Sequence, residues 1–216
     1  MAGQVYVDGH RVDKAGTRIS PKSHLEVKPL GIKYVSRGGF KLEGAVNDLN
    51  MNFGDRIVLD VGAATGGFTD CLLKHGARKV YALDVGYGLI DEKLRVDPRV
   101  VVLERINVRY ASAEMFDESP EIAVVDTSFI SLKLVLPVLK NLNIKELLAL
   151  VKPQFEAGRA EAGRGKGVIR DPKVRNRVVK EIRAAAESLG YKVIGETPSA
   201  VKGPKGNVEV FLHLRM

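Results

Sequence analysis

Arg56-Ile57-Val58-Leu59-Asp60-Val61-Gly62-Ala63-Ala64-Thr65-Gly66-Gly67-Phe68-Thr69-Asp70 is the stretch whose reading decides the fold. Its first half is an apolar run rich in β-branched residues, the pattern of a strand buried on both faces. The run breaks into a glycine-rich turn and restarts as a helix predicted from Phe68 to about His75, with Gly76 as its stop. Strand, tight turn and helix N-terminus together make a nucleotide cradle. Small residues let a ligand approach the backbone, and unpaired N–H groups face it. A second strand, Lys79 to Leu83, ends in Asp84, placed to accept hydrogen bonds from ribose hydroxyls.

The turn departs from the dinucleotide fingerprint. G-x-G-x-x-G needs glycine where Ala64 stands, the point at which a pyrophosphate presses on the backbone. Gly62-x-Ala64-x-Gly66-Gly67, preceded by the acid Asp60, suits an adenosine ligand with a cationic end and no phosphates. The stretch Asp60 to Phe68 resembles motif I of S-adenosylmethionine-dependent methyltransferases, particularly the FtsJ-like RNA 2'-O-methyltransferases. The resemblance implies an α/β fold with a seven-stranded Rossmann-like sheet, mostly parallel with an antiparallel last strand. It also implies S-adenosylmethionine held by Asp60, Gly62, Ala63, Ala64, Gly66, Gly67, Phe68, Asp84 and Asp126. A glycine turn in some other α/β protein is the plain alternative, weakened because strand, turn, helix and distal acid occur in order.

The chain of 216 residues is long enough for one α/β domain and a small appendage. Its net charge of +8 suits an anionic partner. A single cysteine, Cys71, excludes an internal disulfide and a multi-cysteine metal site, and reads as a small buried thiol. No metal-ligand cluster is expected. The longest unbroken aliphatic run, Leu147 to Val151, is far too short to span a bilayer, and no signal peptide is apparent. A cytoplasmic protein without membrane partners is the expectation.

Gln4 to Val12 predicts a short hairpin whose Asp8-Gly9 turn favours type I' geometry, and Thr17–Pro21 and Leu25–Lys28 add short β pieces. So few large apolar groups do not make a stable core alone. Gly3 to Gly16 resembles the C-terminal half of a small RNA-binding module that also occurs in pseudouridine synthases, tyrosyl-tRNA synthetases and a ribosomal protein. In that module two basic helices precede the hairpin, and Met1-Ala2-Gly3 matches the end of the second. Residues 1–30 are therefore expected to be a partial RNA-binding module, a small β remnant ahead of a methyltransferase domain over 34–216.

Ser36 can cap a helix from about Gly39 to Leu49, with Leu42, Ala45, Val46 and Leu49 on one face. Lys41 lies near its start, where a cation opposes the helix dipole, and on its own reads as a solvated lysine. Arg99–Leu103 is a third buried strand, followed by Asn107, which is a turn asparagine or, in the implied fold, a contact to adenine. Glu121–Val125 ends in Asp126-Thr127-Ser128-Phe129, at the edge where α/β sheets place ligands. This is neither the D/N-P-P-Y/F of base-nitrogen methylation nor a Pro-Cys pair, which leaves oxygen as the acceptor atom. The fifth strand, Leu147–Val151, ends at Lys152. Ala157 to Arg170 then carries four cations (Arg159, Arg164, Lys166 and Arg170) and four glycines, a basic loop able to mould to a phosphate backbone without reading bases. Arg37 joins these as a candidate RNA contact. Asp171-Pro172 caps a helix to about Leu189 with Val174, Val178, Ile182, Ala185 and Leu189 inward. Tyr191–Pro198 is a sixth strand. Asn207–Arg215 is a seventh, alternating in and out, and the Gly203–Gly206 turn before it predicts an antiparallel hairpin.

Lys41, Asp126, Lys152 and Glu209 look like the K-D-K-E tetrad of the FtsJ-type enzymes. Nearly the whole chain is similar to the TlyA family of rRNA 2'-O-methyltransferases, historically labelled hemolysin A. That resemblance implies ribosomal RNA or ribosomal subunits as partner and a cytidine as target. A ribose hydroxyl is a very weak acid, so its proton must leave as the bond to the methyl forms. A free lysine, with a pKa of about 10.4, is charged at pH 7, and burial or a second cation shifts it towards the amine. The expectation is that Lys152 acts as base, Asp126 orients it, Lys41 counters the developing oxyanion and Glu209 holds the lysines. Two other classes stand beside it: a noncatalytic RNA- or ribosome-binding protein that keeps the fold, and a membrane-lytic hemolysin.

Overall fold

The computed structural model describes residues 5–12, 16–27, 33–158, 161, 163, 165 and 167–216, and the chain divides into two units, Met1–Lys33 and Tyr34–Met216. In the first, β1 (Val5–Val7), β2 (His10–Arg11) and β3 (Leu25–Val27) form an antiparallel sheet of order β2-β1-β3. Asp8 and Gly9 both take positive φ, 49° and 82°, as a type I' turn requires. The β piece expected over Thr17–Pro21 is absent. Its one large apolar residue, Ile19, is exposed, and Pro21 has no N–H to offer a ladder. Gln4 and Lys28, the outer ends of the expected strands, lie outside the described residues.

The second unit is built on β4 (Ile57–Val61), buried at every position because it lies inside the sheet with helices over both faces. The other strands are β5 (Lys79–Leu83), β6 (Val100–Leu103), β7 (Ile122–Val125), β8 (Glu146–Val151), β9 (Lys192–Pro198) and β10 (Val210–Arg215). Their order is β6-β5-β4-β7-β8-β10-β9, parallel from β6 to β8, with β10 antiparallel to both neighbours. Helices α1 (Arg37–Leu49), α2 (Gly67–Lys74) and α3 (Glu92–Arg95) contribute to one apolar core. Helices α4 (Leu132–Asn141) and α6 (Pro172–Ser188) contribute to the other, and a single turn, α5 (Pro153–Glu156), follows β8.

Three expectations need correction. The strand at 100–103 is the sheet edge: only Val100 is buried, since β5 is its one neighbour. Strand β10 does not alternate; Val210 to Leu214 are all buried, because β10 is inserted between β8 and β9 with apolar packing on both faces. On α6 the inward face is Val178, Val179, Ile182 and Ala186, and Ala185 is only partly covered.

The topology gathers the candidate residues. Strands β4, β5, β7 and β8 all end at one edge, which carries the glycine turn, Asp84, Asp126 and Lys152. Because β10 runs the other way, its start lies at that same edge. Val210 pairs with Val151, so the preceding Glu209 comes level with Lys152.

Candidate active site

The glycine turn is held in a shape that side chains resist. Gly62 has φ +88°, and a Cβ there would meet the Asp126 carbonyl oxygen at 2.8 Å. Ala64 takes φ +48° despite its Cβ, a conformation costing roughly 1 kcal/mol. Its N–H donates to Asp84 Oδ2 at 2.9 Å, and Asp84 Oδ1 accepts from Gly86 N–H at 2.7 Å. Asp84 thus fixes the turn, and each oxygen keeps a lone pair for a further donor.

A groove runs over this turn. One side of it, of ≈ 400 Å³, is lined by Gly62, Ala64, Asp84, Asn107, Asp126 and Phe129 among others. The other, of ≈ 380 Å³, is lined by Arg37, Lys41, Ala63, Gly67, Phe68 and again Gly62, Ala64 and Asp126. Gly66 does not line it and backs onto Leu94 and Ile90. Asp60 does not line it either: fully buried behind the turn, it accepts from Thr69 Oγ at 2.7 Å. Its Oδ1 has no hydrogen-bond partner among the described residues. Burial pushes the Asp60 carboxyl up to about 7, with the nearby Asp126 charge acting in the same direction.

The four candidate catalytic residues form two pairs. Lys41 Nζ lies 2.6 Å from Glu209 Oε2, and Lys152 Nζ lies 2.6 Å from Asp126 Oδ1. Lys41 and Lys152 are each 7% exposed and Glu209 is fully buried, so Lys41 is not the solvated lysine that its position suggests. The expectation that Glu209 holds both lysines is corrected: it holds Lys41 alone, and its second donor is Gln154 Nε2 at 2.8 Å. Gly203 presses on Glu209, where a Cβ would overlap the carboxylate. Burial raises the Asp126 carboxyl above its usual range although Lys152 and Lys41 pull it down. Lys152 Nζ also donates to Ser128 Oγ at 3.0 Å and to the Asp126 carbonyl at 3.2 Å.

Sequence reasoning missed Gln154, Ser128 and the aromatic rim. Phe129 is 90% exposed with φ +64°, its ring 4.8 Å from Phe155. Tyr87 is exposed under the Arg105 guanidinium, 4.0 Å from the ring centre. An aromatic directly after Asp126-Thr-Ser was the available signal. Of the basic candidates, Arg37 is exposed and donates to the Lys202 carbonyl at 2.8 Å, and Arg170 is exposed. Arg159, Arg164 and Lys166 lie outside the described residues.

A sheet of this order, with a glycine turn after its central strand and acids at the next two strand ends, defines a Rossmann-like methyltransferase. Residues 34–216 match the FtsJ-like methyltransferase family, and the chain belongs to it. The 16S/23S rRNA (cytidine-2'-O)-methyltransferase TlyA of Mycobacterium tuberculosis is 44% identical over 217 residues, 99% of this chain and 81% of its own length. Hemolysin A of Brachyspira hyodysenteriae is 45% identical over 216 residues, covering 99% of this chain and 89% of its own. A Streptococcus thermophilus structure carrying the name hemolysin superposes with a TM-score of 0.85 at 43% identity, over 100% of this chain and 79% of that one.

Proposed function

We propose that this chain methylates a ribose 2'-hydroxyl of ribosomal RNA, on a cytidine, using S-adenosylmethionine in the cytoplasm. The observation that carries the reading is that Lys41, paired with Glu209, and Asp126, paired with Lys152, both line the groove over the glycine turn. The residues fit the methyl donor. Gly62 and Ala64 line both sides of the groove with no bulky side chain, Asp84 offers lone pairs to ribose hydroxyls, and Asn107 shares the Asp84 side of the groove, where adenine would lie. The unsatisfied Oδ1 of Asp60 favours a cationic group on the far side of the turn. S-adenosylmethionine supplies a methyl already activated by its sulfonium, which leaves positioning and electrostatics to the protein.

In this reading Lys152 accepts the hydroxyl proton, Asp126 orients it, Lys41 faces the developing oxyanion and Glu209 holds Lys41. The net charge of +8, Arg37, Arg170 and the loop cations Arg159, Arg164 and Lys166 supply sequence-independent attraction to phosphates. Phe129 and the Tyr87–Arg105 pair offer flat faces for an unstacked base. Residues 1–30 act as a partial RNA-binding module. For the lytic reading, no helix among the described residues is long and apolar enough to cross a membrane. The test is tritium transfer from labelled S-adenosylmethionine to purified 30S and 50S subunits by the wild-type chain and by Lys152→Ala. Label that depends on Lys152 and resists alkali at one nucleotide is expected. Cofactor binding without transfer to either subunit would overturn the reading.

A further inference from the structure

Lys152 is poorly placed to meet a substrate hydroxyl itself. It is 7% exposed and is absent from the lining of both sides of the groove. Its Nζ faces three acceptors: Asp126 Oδ1, the Asp126 carbonyl and Ser128 Oγ. An ammonium has three N–H bonds, so this arrangement satisfies the charged form and leaves no direction for a lone pair. Carboxylate and carbonyl oxygens can only accept. A serine hydroxyl accepts or donates, so among these three only Ser128 can turn its hydrogen onto a neutral Lys152. Ser128 is also exposed and lines the same side of the groove as Gly62 and Asp126.

The loop that carries Ser128 is clamped to the segment that carries Lys152. Phe155 packs its ring on Phe129, and Glu156 accepts from Ser131 Oγ at 2.6 Å and from Leu132 N–H at 2.8 Å. Lys152, Phe155 and Glu156 therefore grip residues 126–132 at three successive points, which fixes the Ser128 to Lys152 distance.

We infer that Ser128 is a proton relay between the substrate hydroxyl and Lys152. The inference rests on the reading of Lys152 as the base. The 2'-oxygen forms its bond to the methyl carbon while the carbon–sulfur bond breaks and its electron pair stays on sulfur. The 2'-hydroxyl proton passes to Ser128 Oγ as the Ser128 proton passes to Lys152 Nζ. Serine ends unchanged, the donor loses its positive charge, and Lys152 becomes the ammonium that its three acceptors satisfy.

The experiment is single-turnover methylation of purified ribosomal subunits in H₂O–D₂O mixtures, comparing the full chain with Ser128→Ala, Ser128→Thr and Lys152→Ala. Ser128→Ala is expected to be about 100-fold slower, within the range of a lost proton-transfer group. Its affinity for S-adenosylmethionine stays the same, and Ser128→Thr, which keeps the hydroxyl, recovers most of the rate. The rate against deuterium fraction should bow for the wild type, with two protons in flight, and straighten for Ser128→Ala. A Ser128→Ala rate near wild type beside an inactive Lys152→Ala would overturn the relay and leave Lys152 as a direct base. Full activity in Lys152→Ala would remove the base reading and the relay together. A loss of cofactor affinity matching the loss of rate would make Ser128 a cofactor contact instead.

Discussion

Lys41 and Glu209 are 168 positions apart and meet at 2.6 Å out of water. Removing one partner of a buried ion pair strands the other charge, at a cost of about 3–5 kcal/mol. Glu209→Ala should therefore lose stability of that order in urea unfolding. The double variant Lys41→Met, Glu209→Leu should regain most of it while remaining inactive in methyl transfer, which separates the pair's role in the fold from its role in the site. Asp60 gives a pH dependence of definite sign. Its folded pKa stands near 7 against an ordinary 3.8, so between these values the folded state holds a proton that the unfolded state has released. Stability then falls as pH rises from about 4 to 7, by an amount on the order of a few kcal/mol. Asp60→Asn should flatten that range of the urea-midpoint profile, and a profile unchanged by the substitution would refute the assignment. That Lys41, Asp126, Lys152 and Glu209 come together, and that Asp126 meets Lys152, was legible through the family resemblance, but that Glu209 meets Lys41 alone was not. The β10–β8 register brings Glu209 level with Lys152, but its partner is Lys41 on α1, so the pairing depends on where that helix packs over the sheet, and no local pattern encodes that.

At the scale of elements, α1 and α2 start against each other, and glycines allow it. A Cβ on Gly67 would lie 2.2 Å from Ser36 Oγ, 2.9 Å from Gly39 N and 3.1 Å from Gly38 Cα. Ser36 Oγ is the N-cap of α1 and accepts from Gly38 N–H at 3.3 Å. Gly67→Ala must therefore displace a cap, worth about 1 kcal/mol, and also push the two helix backbones apart in a packed core, for about 2–4 kcal/mol in all. Because Gly67, Gly38 and Lys41 line one side of the groove, affinity for S-adenosylmethionine should fall at least tenfold with it. Calorimetric titration and thermal melts check both effects. Helix and strand existence was largely legible here, since β-branched runs and 3.6-residue periodicity mark them directly. The exposure of β6 and the inward face of α6 were not. An edge strand is made by strand order, and the phase of a helix by the sheet beneath it. Neither is a property of the segment.

The two units differ as whole structures. Every buried apolar residue identified lies in Tyr34–Met216, and among the described residues of Met1–Lys33 none is buried. The first 33 residues nevertheless carry six lysines and arginines against three carboxylates. The described residues among them contribute no buried apolar side chain, and on the proposed reading their charge serves RNA binding. A chain of residues 34–216 should then melt within about 2 °C of the full chain, a difference of less than about 1 kcal/mol for a domain of this size. It should also bind S-adenosylmethionine unchanged. Its affinity for ribosomal subunits should drop, and log K against log salt should become shallower, because each phosphate left without a cation lowers the slope by about one unit of counterion release. Filter binding of both chains from 50 to 200 mM salt, at about the ionic strengths where such slopes are read, measures this. Equal slopes would show that the N-terminal cations do not touch RNA. A lower melting temperature or weaker cofactor binding would show that the first unit supports the methyltransferase domain itself.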